Sequence, residues 1–351
     1  MTADGDAGLG VLAGIRVAVA ESFDDATIAE LGSAGAVVTA PGSSDRDVAV
    51  TTDLPPEPRG DGVLVVPTAA AMGCRCYVTA PDLDTANRVL TVLASAAAQR
   101  WPADVRFAAP DSAVIGVAET VPGAVHTTLS GAGWAVDADH GDLQGVDAVI
   151  TDGPPTVPAD MCAIGVAVDG CNLTVLSRAF DDAVALDVAA VLTGRDAVDA
   201  VWCLSGAGHV ELVVFGAHLR GGPLTHQLTG RGSRWAGEIT TAPRYRMTVL
   251  PTSPAKPAIT RVPDDAPGAA LYGHRWLMSA AALGEFLSAL PAPMQLGKVE
   301  FADGTWRTGF GCDAAAATGP DISAYGSWPA AVEAGAVSFS RRSARPVHDP
   351  D

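Results

Sequence analysis

Lysine is almost missing from this chain: its 351 residues include only Lys256 and Lys298, so nearly all positive charge is arginine. With no lysine before Lys256, the first 255 residues cannot use a lysine amine as a base. Positive charge is scarce as a whole, 22 basic residues against 40 acidic, and the net charge of -18 is spread without long single-sign blocks. Such a surface repels phosphate backbones and excludes nucleic acid as a partner. The six cysteines, Cys74, Cys76, Cys162, Cys171, Cys203 and Cys312, form no CxxC pair and have no histidine at zinc-finger spacing. They read as free, mostly buried thiols in a reducing compartment, with no metal and no cofactor expected. No run reaches the roughly 18 apolar residues of a membrane span, so no membrane partner is expected. The opening Met1-Thr2-Ala3-Asp4-Gly5-Asp6 lacks the basic region and apolar core of a signal peptide. The expected location is the cytoplasm.

What is present is enough apolar sequence for two cores, and the pattern changes character midway. Residues 1–10 read as a flexible N-terminus. From 11 to 195, short apolar runs alternate with helical patterns: strands over 15–19, 36–38, 63–66, 114–117, 146–150, 162–168 and 173–176, helices over 24–34, 83–100 and 180–192. The clearest helix follows the cap Asp82 and puts Ala86, Val89, Leu90, Leu93 and Ala97 on one face. Such alternation predicts an α/β layer domain. Residues 196–208, ending Ser205-Gly206-Ala207-Gly208, read as a linker. Residues 209–335 change to short strands over 210–215, 245–250, 269–272, 297–301 and 305–310 with one helix over 280–290, an α+β domain built on a small β-barrel or curled sheet. Asp303-Gly304 is a hairpin signal between the last two strands. Residues 336–351, with Arg341, Arg342 and Arg345, read as a disordered tail.

The most informative stretch runs from Val210 to Leu228: Val-Glu-Leu-Val-Val-Phe-Gly-Ala-His-Leu-Arg-Gly-Gly-Pro-Leu-Thr-His-Gln-Leu. A strand breaks at Gly216 and delivers His218 where a loop begins, the place where folds tend to put chemistry. His218 is a candidate general acid, or else a satisfied histidine at a strand end. Gly221 and Gly222 leave backbone amides without side-chain cover, a setting that suits a small anion. Arg220, Arg244 and Arg246 can act as carboxylate forks, or lie solvated on an acidic surface. Gly216, Leu219 and Thr225 complete the candidate lining. Tyr325 is either a member of the site or a core aromatic with a bonded hydroxyl.

Together with Thr240-Thr241-Ala242-Pro243-Arg244-Tyr245-Arg246, Leu290-Pro291-Ala292-Pro293-Met294-Gln295-Leu296-Gly297-Lys298-Val299-Glu300 and Asp321-Ile322-Ser323-Ala324-Tyr325-Gly326-Ser327-Trp328, this stretch resembles the C-terminal domain of allophanate hydrolases. The resemblance implies a gamma-glutamyl cyclotransferase-like barrel. It also implies that His218 serves the second step of allophanate breakdown, removal of carbon dioxide from an N-carboxycarbamate-like intermediate, and that the chain forms a homodimer. More faintly, Leu12-Ala13-Gly14-Ile15-Arg16-Val17-Ala18-Val19, Ala34-Gly35-Ala36-Val37-Val38 and the segment from Ile164 to Ala183 resemble amidase-signature enzymes. The first half is much shorter than a full amidase domain. Ala20 stands where that resemblance places a catalytic lysine, and the serine-bearing loop is missing, so residues 11–195 are expected to be a truncated, degenerate amidase-like domain without the Ser-Ser-Lys machinery. In the second half, Thr225 stands where the family usually has asparagine, and Asp313 where it usually has glutamate.

Three functions follow as expectations. The first is decarboxylation of a small, anionic, N-carboxylated urea-type compound received from a separate amidase. The second is a non-catalytic scaffold or partner subunit of an amidase or urea-carboxylase-type enzyme. The third is a gamma-glutamyl cyclotransferase-like enzyme acting on another small molecule.

Overall fold

The structure is a computed structural model and describes residues 10–55, 62–97, 101–154, 157–158, 160–195 and 201–337. The chain divides into two compact units: Met1–Val210 with Leu228–Arg234 and Leu277–Gly284, and Glu211–Gln227 with Trp235–Trp276 and Glu285–Asp351.

The first unit is built on one ten-stranded sheet. Its strands are β1 (Arg16–Val19), β2 (Val37–Thr39), β3 (Val48–Thr51), β4 (Val63–Val66), β5 (Tyr77–Ala80), β6 (Val114–Val117), β7 (Ala135–Ala138), β8 (Ala148–Asp152), β9 (Met161–Val168) and β10 (Cys171–Arg178). They lie in the order β2-β1-β3-β5-β4-β9-β10-β8-β6-β7. Both flanks are parallel, β1 with β2 and β3, β6 with β7 and β8, while the middle from β3 to β8 is antiparallel. The helices are α1 (Asp25–Ser33), α2 (Ala69–Met72), α3 (Leu83–Ala96), α4 (Ala124–Gly131), α5 (Asp182–Leu192) and α6 (Val201–Ala207). Asp82 caps α3 by accepting from the Thr85 amide at 2.7 Å, and the helix buries Leu83, Ala86, Val89, Leu90 and Leu93. The apolar run of β4 is buried at all four residues, as a strand covered on both faces should be.

The segment expected as a linker is helical where the structure describes it. Trp202 and Cys203 of α6 are fully buried, and the helix packs on α3. Gly206 lies against the Trp101 ring, where a Cβ would stand 2.5 Å from it. The small residues that resemble a linker are therefore the ones that let α6 approach. Residues 196–200, and most of the terminal segments expected to be disordered (1–9 and 338–351), lie outside the described residues. Gly10 abuts the Ala34 carbonyl and Val337 is buried.

The second unit carries all or most of β11 (Val210–Val214), β12 (Arg234–Thr240), β13 (Tyr245–Leu250), β14 (Lys256–Arg261), β15 (Tyr272–Met278), β16 (Met294–Glu300) and β17 (Trp306–Cys312), with α9 (Trp328–Glu333), while α7 (His226–Thr229) and α8 (Ala280–Ser288) are divided between the units. Five strands form a sheet in the order β12-β15-β11-β17-β16, and β13 pairs with β14. β11 runs parallel to β17, and β16 and β17 form the hairpin that Asp303-Gly304 signalled, with Gly304 at φ +79°. The two outer strands meet at one end: Ala242 N–H donates to Glu300 O and Ala302 N–H to Thr240 O, both at 3.0 Å. These bonds curl the sheet toward a barrel around Leu212, Val214, Phe215, Met247, Trp276 and Phe301.

Candidate functional site

The site begins where β11 must stop. Gly216 passes so close to Pro257 that a Cβ would lie 2.6 Å from its ring, so the strand end is held against β14 and the next residues turn away. The turn fastens itself. Leu219 N–H donates to Gly216 O (2.9 Å), Gly222 N–H to Leu219 O (2.7 Å) and Leu224 N–H to Ala217 O (2.9 Å), with Gly221 at φ +79°. Buried Thr225 adds its hydroxyl to Leu219 O at 2.6 Å. The Gly222 amide is thus spent inside the loop, contrary to the expectation that both glycine amides stand open. Its hydrogen-only Cα fits because a Cβ would meet Ala217 O at 2.5 Å.

His218 leaves this loop into an aromatic cage. Its ring stacks on Phe310 (5.3 Å, 20°) and meets the edge of Phe286 (5.3 Å, 81°). Nε2–H donates to Gln227 Oε1 at 2.9 Å, which leaves Nδ1 with a lone pair and no hydrogen bond among the described residues. Burial holds the imidazole below its ordinary pKa; the Gln227 bond opposes this, and the nearby charges of Lys256 and His226 add to it. The resting ring is neutral at pH 7, with one nitrogen able to take a proton.

A second histidine grips the same loop from behind. His274 of β15 is buried, and its Nδ1 accepts the Arg220 amide at 2.8 Å, so Nε2 carries the proton and donates to Tyr272 Oη at 2.8 Å. Burial and the Glu238 carboxylate push the Tyr272 phenol up to about 12. Trp235 meets the His274 ring edge-on at 5.9 Å, and the exposed Arg220 guanidinium lies over Trp235 at 4.4 Å.

The other arginines of the candidate set are engaged elsewhere on the surface. Arg244 pairs with Asp264, and Arg246 with Asp321 at 3.1 Å. Tyr325 is 43% exposed on a short 3-10 turn, so it is not a core aromatic. Loop residues Gly216, Leu219, Gly221, Gly222 and Thr225 surround His218 and Arg220 as backbone architecture. Missed from sequence were Gln227, Lys256, Phe286 and Phe310 around the first ring and Trp235, Glu238, Tyr272 and His274 around the second. Tyr272 and His274 share one face of a strand at spacing two, a signal the sequence did offer.

The first unit has a cavity of about 410 Å³ just beyond β1, lined by Ser22, Asp24, Thr27, Cys74 and Cys76. Asp24 is occupied in capping α1 through the Thr27 amide, and burial raises both thiols above their ordinary range. Neither thiol is poised as a nucleophile. No group of three or more His, Cys, Asp or Glu that could hold a metal ion occurs among the described residues.

Residues 210–333 match the family model for the allophanate hydrolase C-terminal domain. Urea amidolyase of Lachancea kluyveri is 34% identical over 112 residues, which are 31% of this chain and 6% of that protein. Urea amidolyase of Saccharomyces cerevisiae is 32% identical over 129 residues, 35% of this chain and 7% of that protein. The aligned segment thus spans only a small fraction of either curated relative. Across 92% of the chain and 89% of its counterpart, the fold is similar to a Kluyveromyces lactis allophanate hydrolase, with a TM-score of 0.68 and 17% identity. Residues 210–333 are therefore similar in sequence to the allophanate hydrolase C-terminal domain, and the chain resembles an allophanate hydrolase in fold.

Proposed function

We propose, taking residues 210–333 as an allophanate hydrolase-type C-terminal domain, that the second unit removes carbon dioxide from a small N-carboxylated urea- or carbamate-type anion. His218 is the proton donor. The reaction balances simply: the N–C bond breaks, carbon dioxide leaves, and the electron pair stays on nitrogen, which takes one proton. Without that proton the leaving group is an amide anion, so an acid beside the nitrogen governs the rate. The observation that carries this reading is the geometry of one ring, an imidazole clamped between two phenylalanines with Nδ1 unbonded. Burial keeps the resting ring neutral. An anionic guest supplies the opposite charge that favours the imidazolium, so the ring is loaded as substrate binds. Arg220, on the same loop, is a guanidinium without a carboxylate partner among the described residues.

In this reading the first unit receives no catalytic part, and the N-carboxylated substrate comes from a separate amidase. The test supplies allophanate and an active amidase to the purified chain and follows carbon dioxide release. His218→Ala should lower the rate by roughly 10²–10⁴-fold, the usual contribution of a general acid. Because His218 titrates below the ordinary imidazole value and must be protonated to act, kcat/KM should rise as pH falls from 8 toward that pKa. An unchanged rate in the variant sinks the assignment and leaves the scaffold reading. A rate that falls with decreasing pH over the same range would make the ring a base.

A further inference from the structure

We infer that His274 is a positioning residue: as an unprotonated acceptor for the Arg220 amide, it sets the 216–223 loop and aims the Arg220 guanidinium at one carboxylate of the substrate. This rests on the proposed function for the identity of the guest, but the positioning role can be measured without it. Three contacts tie Arg220, His274 and Trp235 together. Its amide ends on His274 Nδ1 at 2.8 Å, its guanidinium lies on Trp235 at 4.4 Å, and Trp235 is set edge-on against the same histidine. The tautomer that makes this possible is fixed from the far side, because Nε2–H is committed to Tyr272 Oη at 2.8 Å. A chain of donors thus runs from Arg220 through His274 to Tyr272, and both bonds in it face one way.

The arrangement tolerates one protonation state. Protonating Nδ1 would set two donors against each other at 2.8 Å, and the loop amide would lose its partner. Burial opposes protonation of the ring; of the charged groups facing it, Glu238 favours protonation and Arg220 opposes it. Arg275 and Glu211, on neighbouring strands, pair with each other at 3.0 Å. Arg220 is then the fork held ready for a carboxylate. Most other described arginines of the second unit are in ion pairs, Arg244, Arg246, Arg261, Arg275 and Arg307 among them, while Arg220 rests on an indole face.

The experiment uses the full chain, His274→Asn and His274→Leu. Asparagine places Oδ1 near the position of Nδ1 and accepts the same amide without titrating; leucine fills the space and accepts nothing. Hydrogen exchange of the peptide spanning 216–223, without ligand, is followed from pH 8 to pH 5. Wild type should be protected at neutral pH and lose protection as the ring is protonated, His274→Asn should stay protected throughout, and His274→Leu should exchange about tenfold faster than wild type at neutral pH, the weight of one backbone bond, with no protonation-linked step as pH falls. Leucine protection equal to wild type, or an asparagine variant with the wild-type pH transition, overturns the positioning role. In parallel, malonate is titrated by calorimetry as the probe, since it replaces the nitrogen of an N-carboxycarbamate with a methylene. Its Kd should rise about tenfold in His274→Leu and in Arg220→Gln, and stay within about twofold in His274→Asn. If exchange behaves as expected and malonate binds no form of the protein, the clamp stands and the substrate reading fails. If malonate binds all forms equally, Arg220 is not the carboxylate receiver.

Discussion

The two units place polar groups under cover to opposite ends. In the first, buried charges close on partners within the fold. Asp182 accepts the Thr68 amide at 2.8 Å and hydroxyl at 2.6 Å, and Arg106 bridges Asp147 and Asp181. Arg234 bonds Asp187 at 2.8 Å and donates to Phe107 O at 2.6 Å, while Asp187 also takes the Ala109 amide. Nothing in these groups is left over for a ligand. In the second unit, among the described residues, His218 keeps an unbonded nitrogen and Arg220 a guanidinium without a carboxylate, on a loop whose Leu219, Arg220, Gly222 and Leu224 amides are all bonded. The contrast separates polarity used to specify a fold from polarity held available for a reaction, and burial alone does not distinguish them.

The largest expected effect tests the structural side. Arg234 is 6% exposed and Asp187 equally covered, so Arg234→Ala leaves a carboxylate buried without its ion pair. The loss should be about 3–5 kcal/mol in urea unfolding of the whole chain. Replacing both partners with apolar residues of similar volume should restore much of that stability. If the single variant lost less than about 1 kcal/mol, the first unit's charges would not be the structural set described.

Asp182 offers a smaller and more specific measurement. Burial raises its carboxyl to about 6, against the pull of the Thr68 bonds, whereas an unfolded aspartate sits near ~3.9. Between those values the folded state binds the proton that the unfolded state has released. This group's contribution to stability is therefore present below pH ~4, lost as pH rises to about 6, and constant above. The span is on the order of 2–3 kcal/mol. Asp182→Asn should remove that slope from the pH dependence of unfolding; an unchanged slope means the carboxyl titrates normally.

How much could be read from the sequence followed how locally each feature was encoded. The α3 helix was legible because Asp82 caps it and its apolar residues recur on one face. The β16–β17 hairpin was legible because Asp303-Gly304 admits few other turns. β12 was not, because Gly237 and Glu238 interrupt its apolar pattern and its partner β15 is distant in the chain. α6 was masked by its own small residues, whose meaning depends on the Trp101 ring about a hundred positions earlier. In the site, His218 stood out because a strand end and a glycine turn announce it locally. His274 did not, because its role is defined by an amide 54 residues away. Charge type alone also overstated Arg244 and Arg246 as substrate ligands, since Asp264 and Asp321 come to them only through the fold.

The smallest expected effect bears on those two arginines and is the sharpest test of the contrast within the second unit itself. Arg246 and Asp321 are each about half exposed, 51% by side chain, and their pair at 3.1 Å joins side chains in high dielectric. An ion pair of that kind is worth about 0–1 kcal/mol, and salt screens it further. Arg246→Ala should therefore shift unfolding by under about 0.5 kcal/mol, less at high salt, and leave malonate binding and carbon dioxide release at wild-type values. The same truncation at Arg220 removes a guanidinium that has no carboxylate to neutralise, so its cost should fall on binding while stability stays near wild type. If Arg246→Ala weakened binding as much as Arg220→Ala, the distinction between paired and available cations would fail. The anion would then be recognised by the summed positive field of the unit rather than by one oriented fork.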